Sequence, residues 1–275
     1  MILGVMMHAG MSYGDPFSDE RFVDAKWEAD DKPIVVLDGQ PFPIRNIKAS
    51  ITGDAAYVIG VNQASFTKLC ESLRATKLRF YEMRVSDLSL LRQIGDISHL
   101  AIEWNTKLTD LSPISFLKSL RLLKLVDTPK AQDLSPIQDC QELRHIEFSG
   151  GIWNKNTAAN LASLASLPEL RSLILLNLKL DSGGLRPLAG CKKLEQLTLS
   201  NQFPTEDYAY LSVCLPNTQC DMFAPYVPIS KPIDGNDVMV VGRRKPFLNS
   251  KTDKQRIEKY AATFKMLQEQ FAAER

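Results

Sequence analysis

Apolar residues recur along the middle of this 275-residue chain in a fixed register. The triplets Ile97-xx-Leu100-x-Ile102, Leu120-xx-Leu123-x-Leu125 and Leu143-xx-Ile146-x-Phe148 start 23 residues apart. The series continues at spacings of 27 and 24 as Leu170-xx-Leu173-x-Leu175 and Leu194-xx-Leu197-x-Leu199, and Ala75-xx-Leu78-x-Phe80 fits as a first member. With each unit numbered from its first apolar residue, the fourth and sixth positions point the same way from a short strand, because side chains alternate. A second signature keeps the same phase: Asp110-Leu111-Ser112-Pro113-Ile114 recurs as Asp133-Leu134-Ser135-Pro136-Ile137, with a weaker copy at Asp87–Leu91. Its proline fixes φ where the return segment opens. Asn105 is expected to bond backbone groups where the chain leaves the strand, and Asn201 only approximates that position. One unit cannot bury its own apolar face. Stacking five or six gives a continuous core and a parallel sheet along one edge.

The flanks do not share the period. Pro33–Leu37 and Tyr57–Val61 read as short strands, with Asp38-Gly39 as a turn. Phe66, Leu69, Cys70 and Leu73 lie at helical spacing and suggest either a cap over the open end of the stack or a first irregular repeat. The longest return segment, 155–169, is rich in Leu and Ala and predicts a helix. Beyond Leu199, the residues Tyr208, Leu211, Val213, Leu215 and Phe223 supply a second cap. Prolines 225, 228 and 232 predict an extended linker with little regular structure, and Val238–Val241 a strand turning toward Pro246–Leu248. A final helix is expected from a Ser250 or Thr252 cap to about Ala273, with Ile257, Tyr260, Ala261, Phe264, Leu267 and Phe271 on one face. That stripe is expected to pack onto the chain's own cap, with a homodimer or a partner helix as the alternative. The resulting division is 1–74, an N-terminal cap or irregular first repeats; 75–223, the repeats with their C-terminal cap; and 224–275, linker, short strands and helix.

The run Ile102-Glu103-Trp104-Asn105-Thr106-Lys107-Leu108-Thr109-Asp110-Leu111-Ser112-Pro113-Ile114 resembles the leucine-rich repeat proteins. Within that family it is similar to the internalin-like and phosphatase-regulator-like class with 22–23-residue repeats, over about residues 75–223. The resemblance implies an α/β solenoid, a right-handed superhelix whose short-stranded parallel sheet lines the concave side and commonly binds other proteins. The fourth unit, around Gly150-Gly151-Ile152-Trp153, departs from the regular pattern.

In this register the third, fifth and seventh positions face outward from the sheet, with the eighth beside them. They display Tyr81, His99, Glu103, Trp104, Leu122, Lys124, Val126, His145, Glu147, Ile174 and Leu176 as a candidate partner-binding face. Trp104, Leu122, Val126, Ile174 and Leu176 are apolar at positions expected to meet water, which suits a protein-binding hot spot rimmed by charge. Tyr81 and Trp104 are the expected anchors. His99 and His145 are two units apart, about 10 Å at the spacing of neighbouring strands, too far to share one metal ion.

Composition narrows the function. Of 36 leucines, 28 fall between Leu78 and Leu199, so the leucine excess belongs to the scaffold. A formal charge of +1 argues against bulk polyanion binding, and the compact basic cluster Arg243-Arg244-Lys245 has no base-reading element beside it, so nucleic acid is not an expected partner. Five cysteines without a CxxC pair fit reduced structural thiols and a cytoplasmic location. No basic region precedes the apolar run within Met1–Asp15, so no secretory leader is expected. Nor does any stretch reach the length of a membrane span. Gly14-Asp15-Pro16 carries no pattern, Asp181–Gly184 reads as a turn inside a repeat, and no phosphate-binding loop is present. No nucleophile–base pair, metal cluster or cofactor motif assembles from these residues. The expected function is therefore a non-catalytic module that binds a protein partner on its sheet. The alternatives are an enzyme or an enzyme-associated subunit with catalytic groups outside the repeats, or a scaffold that self-associates through the last helix.

Overall fold

The computed structural model describes residues 32–274. The apolar N-terminal run and Gly14-Asp15-Pro16 lie outside the described residues. A nine-stranded sheet forms the spine, beside a short parallel pair of β3 (Ile51–Thr52) and β5 (Leu73–Arg74). Its repeat strands are β4 (Ala55–Ile59), β6 (Lys77–Tyr81), β7 (His99–Glu103), β8 (Leu122–Val126), β9 (His145–Ser149), β11 (Ser172–Leu175) and β13 (Gln196–Leu199), each parallel to the next. The antiparallel pair β1 (Ile34–Leu37) and β2 (Gln40–Pro43) closes one edge. Pro41 and Pro43 occupy that edge strand, where a missing N–H costs no ladder bond. At the other edge Leu197 N donates to Gln219 O (2.9 Å) and Gln219 N to Glu195 O (2.8 Å). The chain is an α/β solenoid of the leucine-rich repeat type.

Apolar residues at the fourth and sixth positions of each unit form one face of a single continuous core with the return segments. Five of those segments are short 3-10 turns, including Ser89–Gln93, Ser112–Phe116 and Ser135–Asp139. The aspartate that opens each signature has a local task. The Oδ1 atoms of Asp87, Asp110 and Asp133 accept the N–H of the serine two residues on, at 2.8, 2.8 and 2.9 Å. This fixes the turn into the 3-10 segment. Bonds from Ser89 and Ser112 hold the Asp87 and Asp110 carboxyls below the usual carboxylate range. Cys140 and Cys191 sit at matching places and donate to carbonyls of the preceding unit, Ile114 O (3.2 Å) and Leu164 O (3.5 Å). Burial pushes both thiols up to about 11, away from reactive thiolates.

Asn105 meets its expectation: buried, it donates from Nδ2 to Val85 O (2.9 Å) and accepts Lys107 N (3.1 Å). One unit later Thr128 occupies the corresponding position, and Asn156 reaches in from the irregular fourth unit instead. Its amide donates to Leu125 O (3.1 Å) and Thr128 Oγ1 (3.2 Å) and accepts Thr128 N (2.8 Å).

Four sequence expectations change. The helix expected over 155–169 is replaced by β10 (Asn156–Ala158), which pairs in parallel with β12 (Leu178–Leu180), followed by a 3-10 turn at Ala162–Ser166. Asn156 is committed to the interior, and Pro168 forces Leu167 out of the helical region to φ −84°, ψ 107°. The linker expected around residues 224–232 is β14 (Tyr226–Ile233), an edge strand against β15 (Asn236–Val240), which also pairs with β16 (Phe247–Leu248). Its prolines are tolerated because an edge strand has one unpaired side. The last helix (Lys254–Ala273) starts after Asp253 with no side-chain cap from Ser250 or Thr252: Asp253 Oδ2 accepts Asn249 N (3.0 Å), upstream of the helix, while Ser250 bonds Asp237. Asn201 holds the C-terminal hairpin, donating to Val240 O (2.8 Å) and accepting Gly242 N (2.6 Å).

Two α-helices join the return side: the first is the return segment between β4 and β6, and the second closes the far end of the stack. The first, α1 (Gln63–Ser72), starts at an Asn62–Ser65 capping box and buries Phe66, Leu69 and Cys70. The second, α2 (Thr205–Cys214), buries Tyr208 and supports the final helix, here α3. Phe271 of α3 meets Tyr210 edge-on at 5.4 Å, Gln268 Nε2 donates to Ser212 Oγ at 2.8 Å, and Phe264 enters the main core. Ile257 and Tyr260 pack against Val238, Val240 and Leu248. The apolar stripe is thus occupied within the chain. The Tyr208 hydroxyl donates to Ser200 O (2.6 Å) and accepts the N–H groups of Gln202 (3.1 Å) and Phe203 (3.2 Å). Tyr208→Phe keeps the ring and orphans Phe203 N, while Gln202 N and Ser200 O retain their mutual bond (2.8 Å), so it should lower unfolding free energy by about 1–2 kcal/mol in urea titrations. A loss below a few tenths would show that the loop does not depend on the hydroxyl.

Candidate binding face of the sheet

Strand register sets the face opposite the core. The third-position row reads Lys77, His99, Leu122, His145, Ser172 and Gln196 across neighbouring strands. The fifth-position row reads Tyr57, Arg79, Ala101, Lys124, Glu147, Ile174 and Thr198. Tyr81, Glu103, Val126 and Ser149 align in the seventh row, and Leu176 follows just past the end of β11. The eleven residues singled out from sequence therefore share one face or its strand-exit rim, but their exposure differs along it.

At the N-terminal half, Tyr81 and Trp104 meet edge to face with centroids 5.9 Å apart, exposed by 37% and 48%. Arg79 stacks its guanidinium 5.0 Å from the Tyr57 ring and forks onto Glu103 Oε2 through Nη2 (2.8 Å) and Nε (3.2 Å). Desolvation raises the Tyr57 pKa, partly offset by Arg79. Beside this cluster, Glu82 pairs with Lys32 (2.5 Å) and Arg84 (3.7 Å). The result is an aromatic surface with its charges held in place. Such a surface loses little side-chain entropy when a partner docks.

The middle of the face is closed. Leu122, expected to face water, is only 6% exposed and packs on Ala101. His99 and His145 flank it in the same row, and the Lys124 stem lies next to Ala101 in the row beside it. Strands less than 5 Å apart leave long neighbours room to cover a residue whose direction alone points outward. Lys124 is buried too, its Nζ 3.8 Å from Glu147 Oε2. Val126, Ile174 and Leu176 are half-buried.

Leu122 stands between the two histidines, which rules out a shared metal ion. Among the described residues no group of three or more His, Cys, Asp and Glu is placed to hold one. Desolvation, reinforced by Lys77 and His145, pulls the His99 imidazole below its ordinary value of 6.5. Desolvation and Arg144 do the same to His145, against an opposing pull from Glu195. The unfolded chain binds these protons more readily than the fold does. Stability linked to the pair is therefore complete above the unfolded value and declines as pH falls through it. Urea midpoints should drop between about pH 7.5 and 5.5. His99→Gln with His145→Gln should flatten that drop, and an equally steep drop in the double variant would assign it to other groups.

Two features of the site escaped the sequence reading. The repeat frame extends one unit earlier, with Ala56 and Val58 at the fourth and sixth positions, 22 residues before Leu78 and Phe80. That frame places Tyr57 in the fifth row, and small Ala56 hid it. Five of the seven eighth positions are left-handed at the strand exits: Gly60 (φ 75°), Glu82 (56°), Trp104 (56°), Asp127 (51°) and Asn177 (47°). Gly, Asp and Asn accept this conformation readily, whereas a tryptophan there is held under strain. The signal was legible as Gly60, Asp127 and Asn177 in one column.

No family model and no curated protein matches the chain. Among solved structures, it is similar to internalin C2 of Listeria monocytogenes at 20% identity, covering 66% of this chain and 75% of that one with a TM-score of 0.46. An internalin F of the same species shows 14% identity over 65% and 67% of the two chains, TM-score 0.38. A leucine-rich repeat protein of Leptospira interrogans shows 19% identity over 59% and 40%, TM-score 0.43.

Proposed function

We propose that this chain is a non-catalytic binding module that presents the N-terminal half of its sheet face to a protein partner. The observation that carries this reading is the exposed Tyr81–Trp104 pair, with Trp104 fixed in a left-handed backbone. A bulky aromatic kept at a strained, half-exposed position gains nothing for the core, and strain of this kind marks functional positions. Rigid aromatics flanked by the Arg79–Glu103 pair suit a hot spot with a polar surround. Leu122 and Lys124 support the surface from beneath, and His99, Val126, His145, Glu147, Ile174 and Leu176 continue it toward the C-terminal half. Residues 75–223 supply the binding unit in this reading, with the flanking segments as caps. Buried thiols without disulfides favour a cytoplasmic setting.

Affinity capture from native cytosol tests this, with wild type compared against a Tyr81→Ala/Trp104→Asp variant. A protein retained by wild type and lost by the folded variant would support the face, whereas identical captures would refute it.

A further inference from the structure

Beside the strand-exit rim, the irregular fourth unit builds a second surface. Ile152 and Trp153 are 68% and 90% exposed at the tip of the 150–155 loop. Their exposure is not slack. Asn177 Nδ2 donates to Gly151 O (2.7 Å) and Asn154 O (3.3 Å), Asn154 Nδ2 donates to Asp127 Oδ1 (3.2 Å), and Gly150 N donates to Leu176 O (2.9 Å). Gly150 and Gly151 permit this approach, since a Cβ on either would collide with Asn177 O or the Asp127 side chain. Two large apolar side chains are thereby held in water by a hydrogen-bonded latch.

The same loop runs into a cleft of about 570 Å³. Its charged lining is Lys155, Lys179, Arg186 and Arg243 against Asp181 and Asp207. Both carboxylates are engaged: Asp181 pairs with Lys179 (2.9 Å), and Asp207 Oδ2 accepts Leu185 N (3.2 Å). Arg186 stacks on Tyr210 at 4.8 Å, while Lys155 and Arg243 are exposed and make no ion pair among the described residues. A chain of formal charge +1 thus gathers a cationic excess in one recess, next to an apolar knob. Of the basic run 243–245, Arg243 lines this cleft, while Lys245 sits over the Tyr260 ring at 5.5 Å.

We propose that this cleft and the Ile152–Trp153 tip form a second docking site for an acidic segment of a protein partner, carboxylates entering the cleft and an apolar side chain meeting Trp153. Charge complementarity selects an acidic ligand. A recess, rather than a flat basic surface, favours side chains that enter it over a lipid headgroup plane. The site is separate from the Tyr81–Trp104 face and does not depend on it.

Panning a random dodecapeptide display library on the full chain tests the assignment, with counter-selection on a Lys155→Glu/Arg243→Glu variant whose changes are solvent-exposed. The enriched peptides should carry an excess of Asp and Glu and bind the double variant at least tenfold more weakly. They should also weaken with added salt and with Trp153→Ala, and keep their affinity for Tyr81→Ala/Trp104→Asp. Absence of acidic enrichment, or unchanged binding to the double variant, would overturn the site. Sedimentation with phosphatidylserine/phosphatidylcholine vesicles supplies the contrasting arm. Vesicle binding that requires Trp153 and Lys155, without acidic peptides being selected, would assign the patch to a membrane surface and also overturn the proposal.

Discussion

Trp104→Asp should weaken the complex with the captured partner by about 2.7 kcal/mol, a hundredfold in Kd, while the protein stays folded. The charge lands where a partner must exclude water, beside Glu103, whose Oε2 already serves Arg79. Trp104→Asn separates binding from folding. Asparagine tolerates the left-handed backbone, which relieves strain of about 1 kcal/mol, and it forfeits an edge-to-face contact of about the same size. The urea midpoint of Trp104→Asn should therefore stay close to wild type while affinity falls. Wild-type affinity in both folded variants would remove Trp104 from the interface, and a large drop in midpoint would make it a structural residue.

The largest stability effect outside the leucines should come from Asn156→Ala, about 3 kcal/mol by urea unfolding. The substitution leaves Thr128 N buried without a partner, takes one donor from Leu125 O, and empties the space of a fully buried amide. Asn156→Asp distinguishes the two halves of the amide, since the carboxylate still accepts Thr128 N but cannot donate to Leu125 O. It should destabilise at least as much at neutral pH, where a buried charge is added. If Asn156→Ala cost less than about 1 kcal/mol, the irregular unit would be held by packing alone.

The order of strands and their register were legible because each leucine triplet fixes both the face and the phase of its strand. Tyr81, His99, Glu103 and Trp104 therefore sit where the period places them. Exposure was less legible. Leu122 has the outward direction expected of its position, yet neighbours two strands apart enclose it, and a one-dimensional period carries no information about that crowding. Elsewhere local composition misled. Leu and Ala over 155–169 favour a helix, but the Asn156 hydrogen bonds and Pro168 decide otherwise. Prolines 228 and 232 read as a linker although an edge strand accommodates them. The last helix goes without the expected serine cap because Ser250 is drawn to Asp237, a choice that depends on the hairpin packed beside it. The 150–155 loop announced itself only as a break in the period. What makes it a candidate surface is the latch through Asn177 and Asp127, both in the left-handed row.

A sheet of stacked identical units is by nature a template for its own continuation, copy upon copy, into a fibre. Here one terminus offers a strand carrying Pro41 and Pro43, and the other is already bonded by Gln219. Among the described residues, neither end presents the run of free donors and acceptors that a second molecule would need to start growth. A unit added or lost between the aromatic face and the cationic cleft would alter their separation by about one strand spacing and leave both of these ends as they are.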